Sequence, residues 1–179
     1  TAGYMNGSNP ATITIDDSKV TVQDLDAGFA GTGSISIQNG STVAVGDGVT
    51  IADGASSVGS IDVTGAGSQL NVGAGGLYVN ADGSGTISVE NGGVISSAGQ
   101  VSLGRSYGDA MPDAMGTLTV GQGGTLEVGG MNGIVDNEGS TGSYQFNLAG
   151  GTLKDTGSDL TSSVNATLVD GTNSTVDTN

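Results

Sequence analysis

The chain has no cysteine and no histidine among its 179 residues. Without cysteine there is no disulfide, no thiolate zinc site and no thiol nucleophile. Without histidine the commonest general base is missing, and with it the usual way of activating a serine. Tryptophan is absent, and tyrosine and phenylalanine total only 4 and 2, so the aromatic platforms of a sugar-stacking cleft are scarce. Positive charge is equally scarce. Lys19, Arg105 and Lys154 stand against 18 acids, for a net charge of −15. A surface of that sign repels nucleic acid and anionic membranes, and three scattered bases make no basic patch. No apolar run approaches the ~18 residues of a membrane-spanning helix. No basic-then-apolar leader opens the chain, so any signal peptide is expected to be removed or to lie beyond this sequence. Nor does any stretch sustain the three-and-four spacing of an amphipathic helix.

What the chain has instead is glycine, 35 of them, and a repeat. GSISIQNGSTVAVGDGVTI begins at residue 33, GSIDVTGAGSQLNVGAGGLYV at 59, GTISVENGGVISSAGQVSL at 85 and GTLTVGQGGTLEVGG at 116, spaced 26, 26 and 31 residues apart. A fixed period in this range marks a solenoid or array. Each copy holds up to three apolar-x-apolar triplets. The first are Ile35/Ile37, Ile61/Val63, Ile87/Val89 and Leu118/Val120; the second Val43/Val45, Leu70/Val72, Ile95/Ser97 and Leu126/Val128. The third are Val49/Ile51, Leu77/Val79 and Val101/Leu103, blurred in the fourth copy to Ile134/Val135. Period 2 means strands with one apolar side. Gly, Asn and Asp punctuate the joints, where positive φ is least costly.

A three-residue strand cannot bury its face alone, but identical coils stacked on one another can. The expected fold is therefore all-β: a parallel β-helix of about 26 residues per coil with three short strands in each. Seven or so coils at ~4.8 Å make a rod of roughly 30–35 Å. A β-sandwich also accommodates many short strands, but it has no need for the same triplet spacing in every copy.

Three zones follow along one continuous domain. Residues 1–32 read as a degenerate first coil with Ile13/Ile15 and Val20/Val22, and as a cap or contact region, since Tyr4, Met5 and Phe29 exceed the repeat norm in bulk. Residues 33–128 are the regular repeats. Residues 129–179 are irregular final coils: Tyr144/Phe146/Leu148 and Leu153 resume the pattern, Val164, Leu168 and Val169 follow, and Val176 reads as the start of another strand with no cap in view. Tyr4, Met5, Phe29 and Val176 are thus the candidate end-to-end contacts. The third copy is stretched by five residues relative to the first, Gly104 to Met115 against Ala52 to Val58. Insertions of this kind map to loops on one face, so Arg105, Tyr107, Met111 and Met115 form a candidate contact loop. Folding of that loop onto the solenoid wall is the competing reading.

The outward positions have columns of their own. Thr14, Ser36, Asp62, Ser88 and Thr119 share one, Thr50, Tyr78 and Ser102 another. A uniform threonine array would suit ice or carbohydrate; this mixed column lacks the uniformity that ice requires. Asn39 and Asn91 share a joint position and suggest a stacked amide ladder.

Catalytic patterns are sparse. Gly104-Arg105-Ser106-Tyr107-Gly108 fits the G-x-S-x-G nucleophile elbow, but that motif needs a strand-turn-helix context and a histidine. A glycosidase carboxylate pair needs defined separation across a cleft. The expectation is no enzyme and no cofactor. Calcium is the one metal with candidate ligands, at Asp16/Asp17, Asp24/Asp26, Asp47/Asp53 and Asp109/Asp113, although no EF-hand loop or calcium nonapeptide is present.

The stretch GSIDVTGAGSQLNVGAGGLYVNADGSGTISVENGGVI resembles the repeat of type V secretion (autotransporter) passengers and PEP-CTERM-associated bacterial surface proteins. The tail, FNLAGGTL followed by VNATLVDGTNSTVDTN, is similar to the segment after those repeats, so the likeness spans roughly residues 33–179. It implies a secreted or cell-surface β-helix acting as adhesin, spacer or matrix component, and offers no catalytic residues to carry over. The chain departs from autotransporters in showing no outer-membrane barrel. Expected partners are other copies of itself, other surface or matrix components and carbohydrate. The leading expectation is a non-enzymatic extracellular structural or adhesive scaffold; the alternative is a fibre subunit that stacks head to tail.

Overall fold

The computed structural model describes residues 10–80, 82–104, 115–130, 133–136, 142–157 and 159–178. Those residues form nineteen strands and no helix. The first coil is β1 (Ala11–Asp16), β2 (Lys19–Val22) and β3 (Leu25–Ala27); the second is β4 (Thr32–Gln38), β5 (Thr42–Val45) and β6 (Gly48–Ile51). Next come β7 (Val58–Thr64), β8 (Gln69–Val72) and β9 (Gly76–Tyr78), then β10 (Ser84–Glu90), β11 (Val94–Ser97) and β12 (Val101–Ser102). The fifth coil is β13 (Met115–Gly121), β14 (Thr125–Val128) and β15 (Ile134–Val135). Two coils of two strands finish the stack: β16 (Ser143–Ala149) with β17 (Thr152–Asp155), and β18 (Ala166–Leu168) with β19 (Thr175–Asp177). No helix of the described residues is long and apolar enough to cross a membrane.

Strands of one type stack on one another. The first sheet runs β1-β4-β7-β10-β13-β16-β18, the second β2-β5-β8-β11-β14-β17-β19 and the third β3-β6-β9-β12-β15. All named pairings are parallel, and the register is that of the sequence repeat: Ile35 on Ile61, Ile61 on Ile87 and Ile87 on Leu118. This is a parallel β-solenoid. Seven levels at ~4.8 Å give a rod of about 30 Å. The third strand of the first coil is an addition to the sequence reading: Leu25 and Ala27 pair with Val49 and Ile51. Its signal, Leu25-x-Ala27, is weak because alanine is a poor strand marker.

Parallel alignment puts like residues in contact. Ile37, Ile61, Leu70, Leu77, Ile87, Ile95, Leu103, Leu118 and Leu126 are fully buried along one continuous core. Phe146 enlarges the first column above Leu118, and the next residue in register is Ala166, the smallest of that column. Two inward strand positions among the described residues are polar. Ser97 donates its hydroxyl to the Gly99 carbonyl at 3.0 Å, and Asp155 accepts the Gly157 N–H at 2.8 Å. Each closes its own turn from the second to the third sheet, which satisfies a buried group locally.

The turn from the first to the second sheet carries a column the triplets do not reveal: Ser18, Ser41, Ser68, Gly93, Gly124, Gly151 and Ser174, each immediately before a second-sheet strand. Ser41 accepts the Ser18 N–H at 3.1 Å and donates to the Ile15 carbonyl at 3.1 Å. Ser68 accepts the Gly40 N–H, and Ser174 the Gly150 N–H at 2.9 Å. In these three coils the hydroxyl thus bonds backbone of the coil before it. Glycine takes over where a Cβ would run into the neighbouring backbone, as Gly93 does against the Val63 carbonyl at 2.6 Å.

Candidate contact surfaces

The insertion of the third copy begins at Gly104, just beyond β12, and ends at Met115, the first residue of β13. Arg105, Tyr107 and Met111 lie outside the described residues, as do Ser106 of the G-x-S-x-G match and the Asp109/Asp113 pair. The flanks are described. Gly104 sits at φ 116, a conformation that favours glycine. Ser102, which follows Thr50 and Tyr78 in the column expected to face outward, is instead fully buried and donates its hydroxyl to the Gly104 carbonyl. Met115 is half-exposed, and its N–H donates to the Gly83 carbonyl at 3.2 Å. The element that resumes at Met115 is a strand, so the described residues do not build the strand-turn-helix of a nucleophile elbow.

Beneath this junction lies Asn80, fully buried, with neither amide atom hydrogen-bonded. Its side chain rises toward β13: a Cβ on Gly116 would meet Asn80 Oδ1 at 2.6 Å and the Tyr144 ring at 3.2 Å. Gly116 is thus required by Asn80 and Tyr144 together. Nothing in the triplet pattern singles out Asn80; its only signal is a polar residue directly after the Leu77/Val79 triplet.

Four acids act on one another along the third sheet of the early coils: Asp24 just before β3, Asp26 within it, Asp53 just beyond β6 and Asp82 between β9 and β10. Burial pushes the Asp26 carboxyl above its usual range, and the charges of Asp53 and Asp24 push it the same way. Asp82 is raised as well, by burial first and then by Asp53. Asp16 goes the other way. Its two oxygens accept the Asn39 amide at 2.8 Å and the Gln38 amide at 3.1 Å, and these bonds hold its carboxyl below the usual range. Among the described residues no three Asp or Glu side chains converge as metal ligands.

Asn39 and Asn91 differ from the expected ladder. Both occupy the same turn position at φ 55, but Gly65 stands between them in the stack. Each amide instead reaches the coil before its own, Asn39 to Asp16 and Asn91 to Thr64 Oγ1 at 3.3 Å. The outward column of the first sheet is in register as read, Thr14, Ser36, Asp62, Ser88 and Thr119, and continues through Asn147 and Thr167. Its polar groups bond one another between coils: Ser88 donates to Asp62 at 2.6 Å and Asn147 to Thr119 at 3.5 Å.

The two ends of the stack are unlike its middle. Tyr4 and Met5 lie outside the described residues, and Phe29 is half-buried in the corner after β3. Ile13 faces inward in register with Ile35 yet is 38% exposed. At the other end Leu168 sits in register on Leu148 and Val176 on Leu153, and they are 70% and 55% exposed; Val169 is exposed beside them. On the outer face there, Lys154 pairs with Glu127 at 3.1 Å and lies in register with Asp177. Comparison of the chain with family models, with curated proteins and with solved structures found no match.

Proposed function

We propose that this chain is a non-enzymatic, extracellular β-solenoid that serves as a structural and adhesive scaffold of a bacterial surface or secreted protein. The observation that carries this reading is the unbroken, in-register core. A stack held by like-on-like contacts turns sequence length into rod length, while outward residues vary without cost to the core. The sequence resemblance to bacterial surface repeats supplies the setting, and the charge of −15 suits a soluble, self-repelling exterior.

Removal of residues 59–84, one repeat, joins β6 to β10 with the register intact. The shortened chain is expected to fold, to lose one coil, or ~4.8 Å of rod length, and to keep its retention on immobilised matrix polysaccharides and proteins. Unfolding of the deletion variant, absence of any retention by the intact chain, or release of sugar product from a polysaccharide panel would each overturn the scaffold reading.

A second reading, a fibre subunit stacked head to tail, is favoured by one feature. The strands β18 and β19 present apolar residues in core register with no further coil on them in the described residues.

A further inference from the structure

We propose that β18 and β19 of one copy receive β1 and β2 of a second copy, in the register of the solenoid itself, and that ionic strength gates this union. The proposal rests on the fibre reading and specifies its contact. Continuing the columns places Ile13 and Ile15 of the incoming copy on Ala166 and Leu168, because Ile13 and Ile15 occupy the columns of Phe146–Ala166 and Leu148–Leu168. Val20 falls on Val176 by the same continuation. Small Ala166 lies opposite partly exposed Ile13, and largely exposed Leu168 opposite Ile15. The corner fits as well. Ser18 of the incoming copy falls on Ser174, extending the column in which each serine hydroxyl accepts an N–H from the preceding coil.

Register selects this partner over a symmetric union of two C-terminal ends, which would reverse the sense of the coil and break the parallel columns; at low salt, charge opposes that union as well. The last coil carries Asp170 and Asp177, and two such ends would set acid against acid. The first coil brings Lys19, exposed on the outer face of β2. With Val20 on Val176, Lys19 stands on Thr175, diagonally across from Asp177 and within ~7–8 Å, a distance long side chains span. The same union sets Asp16 and Asp17 near Val169 and Asp170. The contact is therefore apolar at its centre and mostly like-charged at its rim. Screening decides it: the Debye length falls from about 30 Å at 0.01 M salt to about 3 Å at 1 M, while apolar burial is undiminished.

Sedimentation velocity of the 179-residue chain in ~10 mM and ~1 M sodium chloride tests this. The expected result is a single slow species at low salt and a broad distribution of faster species at high salt. Val176→Asp and Ile13→Asp chains should each stay monomeric at high salt. Their mixture should form a dimer and nothing larger, because one blocked end of each remains after the free ends join. Monomer at every salt concentration would overturn both the union and the fibre reading. Polymer that ignores the two substitutions, or that dissociates as salt rises, would overturn the proposed contact and leave the fibre reading standing. An Ile13→Asp chain that dimerises alone would establish the symmetric union instead.

Discussion

Leu70 gives the sharpest test of the stacked core. It is fully buried, lies in register between Val43 and Ile95, and has a coil on each side. Leu70→Ala removes three carbons, worth ~0.8 kcal/mol each in transfer, or ~2.4 kcal/mol. The vacated space adds a further loss, since measured Leu→Ala changes in closed cores run about 2.7–5 kcal/mol. Collapse around the gap is resisted here because both neighbouring coils are fixed by ladders in three sheets. A loss near the upper part of that range, about 4 kcal/mol, is expected. Leu168→Ala is the matched control: same chemistry, same inward role, but 70% exposed with one neighbour in register. About a third of its side chain is covered, so the expected loss is below about 1 kcal/mol. Urea unfolding followed by far-ultraviolet circular dichroism at low salt measures both, with the slope compared to check that cooperativity is unchanged. Equal losses at the two positions, or a loss below 1 kcal/mol at Leu70, would refute the view that stability resides in like-on-like stacking.

Three further outcomes follow from individual contacts. Gly85→Ala should destabilise by more than Gly171→Ala in thermal melts, since a Cβ on Gly85 overlaps the Val79 carbonyl whereas Gly171, though at φ 77, has open space around it. Asn80→Leu should raise stability by about 1 kcal/mol in urea unfolding, because it replaces a buried amide without partners by a side chain of similar size; a loss would mean that the amide is hydrogen-bonded. Asp26→Asn should raise stability at neutral pH and not at ~pH 3, below the usual carboxylate range. The folded chain holds the Asp26 proton more tightly than the unfolded chain, so this carboxyl costs stability as pH climbs through the carboxylate range; a benefit at pH 3 equal to that at pH 7 would refute the burial and charge argument.

The solenoid was legible because its physics is one-dimensional. Ile35, Ile61, Ile87 and Leu118 must be apolar for the same reason, contact with each other, so the spacing of the residues is the register of the sheet. The corners were less legible. Asn39 and Asn91 share a conformation, but a shared turn position is not a contact: they stand two coils apart, with Gly65 between them. The serine column before the second-sheet strands has no single-letter signature, because glycine interrupts it at Gly93, Gly124 and Gly151. Asn80 was hidden for the opposite reason: it occurs once. Repeats announce what every coil needs, and are silent on what one coil does differently.

That asymmetry bears on where activity resides. In a stack of this kind a residue shared by all coils is explained by packing, and a residue that departs from the repeat must be explained otherwise. The departures cluster in three places. The Gly104–Met115 insertion breaks the period, the charges of Asp24 and Asp53 bear on Asp26 and that of Asp53 on Asp82 along the third sheet, and the first and last described coils leave Ile13, Leu168 and Val176 uncovered in core register. Only the last of these comes with its complement in the same chain. Ile15, Ser18 and Val20 repeat the columns that end at Leu168, Ser174 and Val176, so the first coil has the inward pattern of the coil that would come next. The insertion and the acids along the third sheet have no such counterpart among the described residues. A contact whose two halves are both present is the one that purified protein alone can confirm or exclude.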